Sequence, residues 1–137
     1  MNLRSSLVVL AVFGALGALA RRGSAQAATG ASDPVGVWRG TSLCLVRPSS
    51  CNDEVVVYRI TRAKPGDSVS MDARKIVNAQ EQEMGVLTCR VAALGASLTC
   101  GIPNGVWRFQ IRRDSLIGEL RIRDSTKFRD VRATRSR

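Results

Sequence analysis

The 137-residue chain has no histidine at all and few large aromatics: two tryptophans, one tyrosine and three phenylalanines. Without histidine, the Ser-His and Cys-His relays of nucleophilic hydrolases are excluded, and so are mixed Cys/His zinc sites. The sequence lacks a G-x-S-x-G elbow, and its glycines are scattered at turns instead of gathered into a phosphate cradle. Asp53-Glu54 is the only adjacent acidic pair. Neighbours on a strand point to opposite faces, so these two do not clasp one substrate. Glu81 and Glu83 fall in the most hydrophilic stretch, where solvation accounts for them. The chain therefore reads as a non-enzyme with no cofactor and no metal.

Helical periodicity is also missing beyond the N-terminus. Arg4 precedes an apolar run over residues 7–20, and Ala25-Gln26-Ala27 is a small-x-small cleavage site. The run falls short of the roughly 20 residues that a membrane helix needs. Residues 1–27 read as a secretory signal peptide, with cleavage after Ala20 as the alternative. No cysteine lies near the site, which excludes a bacterial lipid anchor. The mature chain is expected outside the cytoplasm, secreted or periplasmic, with no integral membrane domain. Its residues 28–34 form a polar leader, 35–134 one domain and 135–137 a basic tail.

Charge of one sign is scarce. Removing Arg4, Arg21 and Arg22 with the signal leaves 18 basic against 11 acidic residues, a net +7. From Trp107 onward, nine Arg and one Lys face four acids, so the last strands hold nearly all the excess.

The four cysteines, Cys44, Cys51, Cys89 and Cys100, all lie in the mature part. Four cysteines in a short exported chain imply two disulfides, with three possible connectivities. Cys89 and Cys100 are equidistant from Leu94-Gly95, and Cys44 and Cys51 close a short loop, so the two local pairings are favoured. An ideal two-residue turn would put Cys89 opposite Cys100 at a hydrogen-bonded pair, where the Cα atoms stand further apart. A longer turn or a bulge would relieve this. The Cys-x6-Cys and Cys-x10-Cys spacings do not suit zinc.

About eight short extended segments are separated by turn signals, which points to an all-β sandwich or barrel. Residues 35–46 open the domain. Residues 54–61 present Val56, Tyr58 and Ile60 on one face, and Lys64-Pro65-Gly66-Asp67 turns the chain. Residues 68–77 alternate through Val69, Met71 and Ala73, and residues 78–83 read as the longest loop. Residues 73–84 have a helix-forming composition that would suit one short turn. Segments 84–92 and 97–102 form the cysteine hairpin. Trp107 to Arg112 alternates apolar and polar. Pivots at Asp114-Ser115 and Ser125-Thr126 pair Phe109 with Leu120, Trp107 with Ile122 and Leu120 with Val131, which brings one apolar face together. The fold class is a small antiparallel up-and-down β-barrel stabilised by two disulfides.

Gly36-Val37-Trp38 stands at the start of the first strand, and here the chain resembles the lipocalin-like (calycin) barrels, which open with G-x-W. The resemblance implies that Trp38 closes one end of the barrel and packs under an Arg from near the C-terminus, with Arg129, Arg132 and Arg135 as candidates. It also implies non-catalytic binding of a small apolar or amphipathic ligand, and the chain is expected to be a monomer. The interior would be lined by Trp38, Tyr58, Met71, Trp107, Phe109 and Leu120. Trp38 equally suits an ordinary core position. Arg129 falls on the inward face beside Ile122 and Trp107, where an arginine either holds a ligand carboxylate or snorkels over the ring.

The same pivots set Arg108 beside Arg121 beside Asp130, and Gln110 beside Glu119 beside Arg132. Arg121 and Arg132 thereby gain structural partners. Arg108, Arg112, Arg113, Arg123 and the tail arginines do not. These suit an anionic envelope component, since the guanidinium fork matches phosphate and carboxylate. An inhibitor-like protein- or polyanion-interaction module is the alternative function. Nucleic acid is not expected, because Trp107 and Phe109 face inward instead of offering a stacking surface on the basic face.

Overall fold

The computed structural model describes residues 32–92 and 94–137. Residues 1–31, which hold the expected signal peptide and most of the expected leader, lie outside the described residues. Eight strands form one closed antiparallel barrel in simple chain order. They are β1 (Gly36–Cys44), β2 (Glu54–Ala63), β3 (Ser68–Val77), β4 (Gln80–Ala92), β5 (Ser97–Ile102), β6 (Gly105–Arg112), β7 (Ser115–Ile122) and β8 (Lys127–Arg135). Closure comes from β8 returning to β1, with Trp38 opposite Arg135 and Cys44 opposite Arg129.

The period-two pattern selects the inward face. Val56, Tyr58 and Ile60 on β2 and Val69, Met71 and Ala73 on β3 are all buried, as their alternation requires. Phe109 and Ile111 on β6, Leu116 on β7 and Val131 and Ala133 on β8 complete one core. Gly118 supplies the space for Phe109. An added Cβ there would run into the Phe109 ring and crowd Val131.

Both disulfides form as Cys44–Cys51 and Cys89–Cys100. Cys89 and Cys100 are register partners, with Cα atoms 4.2 Å apart. Strand pairing stops at Ala92 opposite Ser97, so the turn is longer than two residues. That places the cysteines at a close, non-hydrogen-bonded pair.

The C-terminal meander has the expected face but a register shifted by two residues. Trp107 lies opposite Leu120, Phe109 opposite Gly118 and Ile111 opposite Leu116, and Arg113-Asp114 makes the turn. Gly118 pairs with Val131 and Leu120 with Arg129, not Leu120 with Val131. A shift of two preserves which side chains point inward, so the alternation alone does not detect it. The outer rows change as a result. Arg108 now faces Glu119, which faces Asp130, and Arg132 faces Ile117. Arg121 keeps its structural role, with Nε donating to Glu119 Oε1 at 2.8 Å. Arg132 has no ion pair among the described residues.

Residues 78–83 are not a loop, and residues 73–84 hold no helical turn. β3 and β4 continue to a tight turn at Asn78-Ala79, both in the left-handed region with φ of 50° and 64°. On β4 only Cys89 is fully buried, with Leu87 and Val91 packed beside it, and residues 80–84 have no apolar face from which an alternation could be read. The end of the hairpin reaches the outside of the barrel. Glu81 makes a two-pronged contact with Arg59 at 2.7 and 3.0 Å and a longer one with Arg39. Val57, which points outward from β2, is only 1% exposed beside these side chains.

Two expectations follow. Gly118→Ala should cost about 1–3 kcal/mol by overpacking against Phe109, read as a lower urea midpoint with an unchanged slope. The second concerns pH. Hydrogen bonds from Arg59 to Glu81, from Arg121 to Glu119 and from Thr126 to Asp124 hold these three carboxyls below their ordinary values. Groups whose pKa is lowered by folding contribute stability above the unfolded carboxylate range and lose it as pH falls through the folded value. The urea midpoint should therefore be lower at pH 3 than at pH 6, and Glu81→Gln should narrow that difference.

Candidate functional site: a cup at one end of the barrel

One end of the barrel is plugged from within. Pro34 is fully buried there, and the Trp38 indole donates to its carbonyl oxygen at 2.9 Å. Arg135 lies over the Trp38 ring, 4.2 Å from the centroid. Its guanidinium also donates to the carbonyl oxygens of Val35 at 2.6 Å and Asp33 at 2.5 Å. Gly95, with φ +85°, lets the chain at Ser32 pass close beneath the β4–β5 turn, where a Cβ would strike the Ser32 carbonyl. Of the three candidate arginines, Arg135 is the one on Trp38. It belongs to β8, not to an unattached tail.

The other end is open and holds a cavity of about 320 Å³. Its apolar wall is Leu87, Ile102, Trp107 and Phe109, with Ala73 opposite Gly85. Trp107 stacks on Phe109 at 5.5 Å and 11°, and Tyr58 meets Phe109 edge-on at 5.9 Å. The rim includes Met84 and Gly85, where β4 bulges against Ala73/Arg74 of β3 and Gly85 adopts φ +138°.

One corner of the cup is polar. Arg129 Nη1 donates to Ser42 Oγ at 3.0 Å and lies 3.2 Å from Glu54 Oε2, while Nη2 donates to the Asn52 carbonyl oxygen at 3.1 Å. The Arg129 and Glu54 side chains are only 13% and 19% exposed. Lys75 Nζ stands 3.7 Å from the other Glu54 oxygen. Burial pushes the Tyr58 phenol well above its ordinary range, outweighing the pull of Arg129, so its hydroxyl stays protonated.

Four of the seven residues expected to bind a ligand line this cup: Tyr58, Trp107, Phe109 and Arg129. Trp38 sits at the plugged end, Met71 is wholly buried in the core, and Leu120 is buried but not on the wall. Arg129 lies beside Leu120 and Cys44 instead of Ile122, with Trp107 one strand further along the same row. Its carboxylate partner is Glu54 of the same chain. Ser42 and Glu54 were legible as inward positions by parity, continuing Trp38–Gly40 and preceding Val56–Tyr58. Leu87, Ile102 and the Met84-Gly85 rim had no such signal.

The basic residues do not form one patch. Arg108 is in the middle of the β6 outer face, Arg112 and Arg113 lie at the plugged end, and Arg123 is in the turn at the open end. The length of β7, roughly 25 Å at strand rise, separates Arg113 from Arg123.

The Glu54–Arg129 pair should matter for stability. Glu54→Gln is expected to lower stability by about 1–2 kcal/mol, since a charge-assisted contact to a mostly buried guanidinium becomes neutral. Equilibrium urea unfolding measures it.

Comparison with protein-family models, with curated proteins and with solved structures finds no match to this chain.

Proposed function

We propose that this chain is an exported, lipocalin-like, non-catalytic binding protein that takes a small amphipathic ligand into the cup. The observation that carries this reading is the cavity itself, with one apolar wall and one polar corner at the unplugged end of a closed barrel. Its volume stands near the lower limit of small-molecule sites, roughly 300–1,000 Å³. The Arg135–Trp38 stack at the other end supports the lipocalin-like reading, and the two disulfides support export to an oxidising compartment.

The affinity should be modest. Burying roughly seven methylenes at ~0.8 kcal/mol each contributes about 5–6 kcal/mol. That corresponds to a Kd near ~0.1 mM.

The two tryptophans make the test direct, because one lines the cup and the other lies under Arg135 at the plugged end. Titration with decanoate should quench fluorescence in wild type and in Trp38→Phe, and the response should vanish in Trp107→Phe. Quenching confined to Trp38, or none at millimolar ligand, would reject the cup.

A further inference from the structure

On the barrel wall opposite the β8–β1 closure, one outer row spans β4 to β6 with arginines and no acid, and meets its first acid at Glu119 on β7. Arg90 on β4, Thr99 on β5 and Arg108 on β6 are register partners in one cross-strand row. Arg112 follows Arg108 on the same outward side of β6. Adjacent strands are ~4.8 Å apart and residues rise ~3.3 Å, so Arg90 and Arg108 are about 10 Å apart at their Cα atoms and Arg108 and Arg112 about 13 Å. The three arginines are exposed. Among the described residues none of them is in an ion pair, whereas Arg39, Arg47, Arg59, Arg62, Arg74 and Arg121 all are. Glu119, the nearest acid in register with Arg108, has its oxygens directed to Arg121 and Lys127.

Between the arginines the outward positions are polar: Thr99 on β5 between Arg90 and Arg108, and Gln110 on β6 between Arg108 and Arg112, with Ser97 of β5 beside Gln110. We propose that this β4–β6 face binds a linear anionic polysaccharide, with Arg90, Arg108 and Arg112 on its anionic groups and the serine and threonine hydroxyls on its sugar hydroxyls. Guanidinium forks recognise sulfate and carboxylate in a bidentate manner. The same residues argue against the other polyanions. Single-stranded nucleic acid calls for exposed aromatics, and Phe109 is buried while Trp107 lines the cup. A membrane surface calls for apolar or amphipathic side chains to enter the headgroup layer, and the positions between the arginines, Thr99 and Gln110, are polar. Arg90 was outside the sequence reading because it lies far from the C-terminal charge excess. The fold brings it beside Arg108 across a single strand.

Binding to heparin, a sulfated polysaccharide probe, tests the proposal by calorimetry and by the salt needed for elution. The triple variant Arg90→Ala/Arg108→Ala/Arg112→Ala should lose about tenfold or more in affinity, as charge-assisted contacts require. The charge-matched triple Arg123→Ala/Arg132→Ala/Arg137→Ala should stay close to wild type. Equal loss in both triples would reduce the effect to net charge and overturn the site. Absence of heparin binding by wild type would overturn it outright, and tighter binding to anionic vesicles or to a single-stranded oligonucleotide would overturn the assigned partner. Should the first triple not fold, the single Arg→Gln variants at the same three exposed positions carry the same comparison.

Discussion

Arg135 on Trp38 is the interaction on which the rest of the barrel's design depends. An eight-stranded barrel has just enough interior for side chains, so something must decide where it is filled and where it is left open. At the Trp38 end, one guanidinium covers the largest aromatic ring and collects two carbonyl oxygens of the incoming chain. Desolvated cation–π contacts of this kind contribute about 2 kcal/mol. The contact also ties the last strand to the segment before the first, at the seam where the barrel closes. With that end filled by Trp38 and Pro34, the interior space among the described residues lies at the other end, among Leu87, Trp107 and Phe109.

The open end solves a different problem, which is how to keep charge inside a cup without fixing its specificity to charge. Arg129 faces inward, and an unpaired guanidinium there would carry a large desolvation cost. Glu54, Ser42 and the Asn52 carbonyl take its donors, so the corner is internally satisfied. Lys75 leaves the corner with one positive charge in excess, held at the mouth and not at the floor. On the proposed reading, the walls would select by shape and apolar area, and polar contacts would orient what enters.

Much of the fold was legible because parity is a local property. Val56–Tyr58–Ile60 and Val69–Met71–Ala73 each declare a face, and both disulfides follow from short spacings. What was not legible depends on pairings between distant segments. The register of the meander moved by two residues with no change of face, which was enough to move Arg108 next to Glu119 and leave Arg132 facing Ile117. Glu54 and Arg129 meet across β1 from positions 75 residues apart in sequence, so neither announces the other. The choice of Arg135 over Arg129 and Arg132 required the β8–β1 register, which no turn residue encodes. Cup residues were identifiable as inward-facing, but not by depth along the barrel, and that is why Trp38 and Met71 were expected beside Trp107.

The β3–β4 hairpin shows how the outside of the barrel keeps the mouth open. Its far half lacks an apolar face, and at the Met84-Gly85 bulge the pairing with β3 is offset by one residue. A bulge bends and overtwists the strand that carries it. Glu81, beyond the bulge, meets arginines on the outer faces of β1 and β2. Had the hairpin bent over the cavity, Glu81 would have entered a space that already holds Glu54, and two carboxylates in one low-dielectric site repel. Outside, it meets Arg59 and Arg39. The same charge that would be costly over the cup is satisfied on the wall, so the electrostatics of the hairpin and the accessibility of the cavity are consequences of one bend.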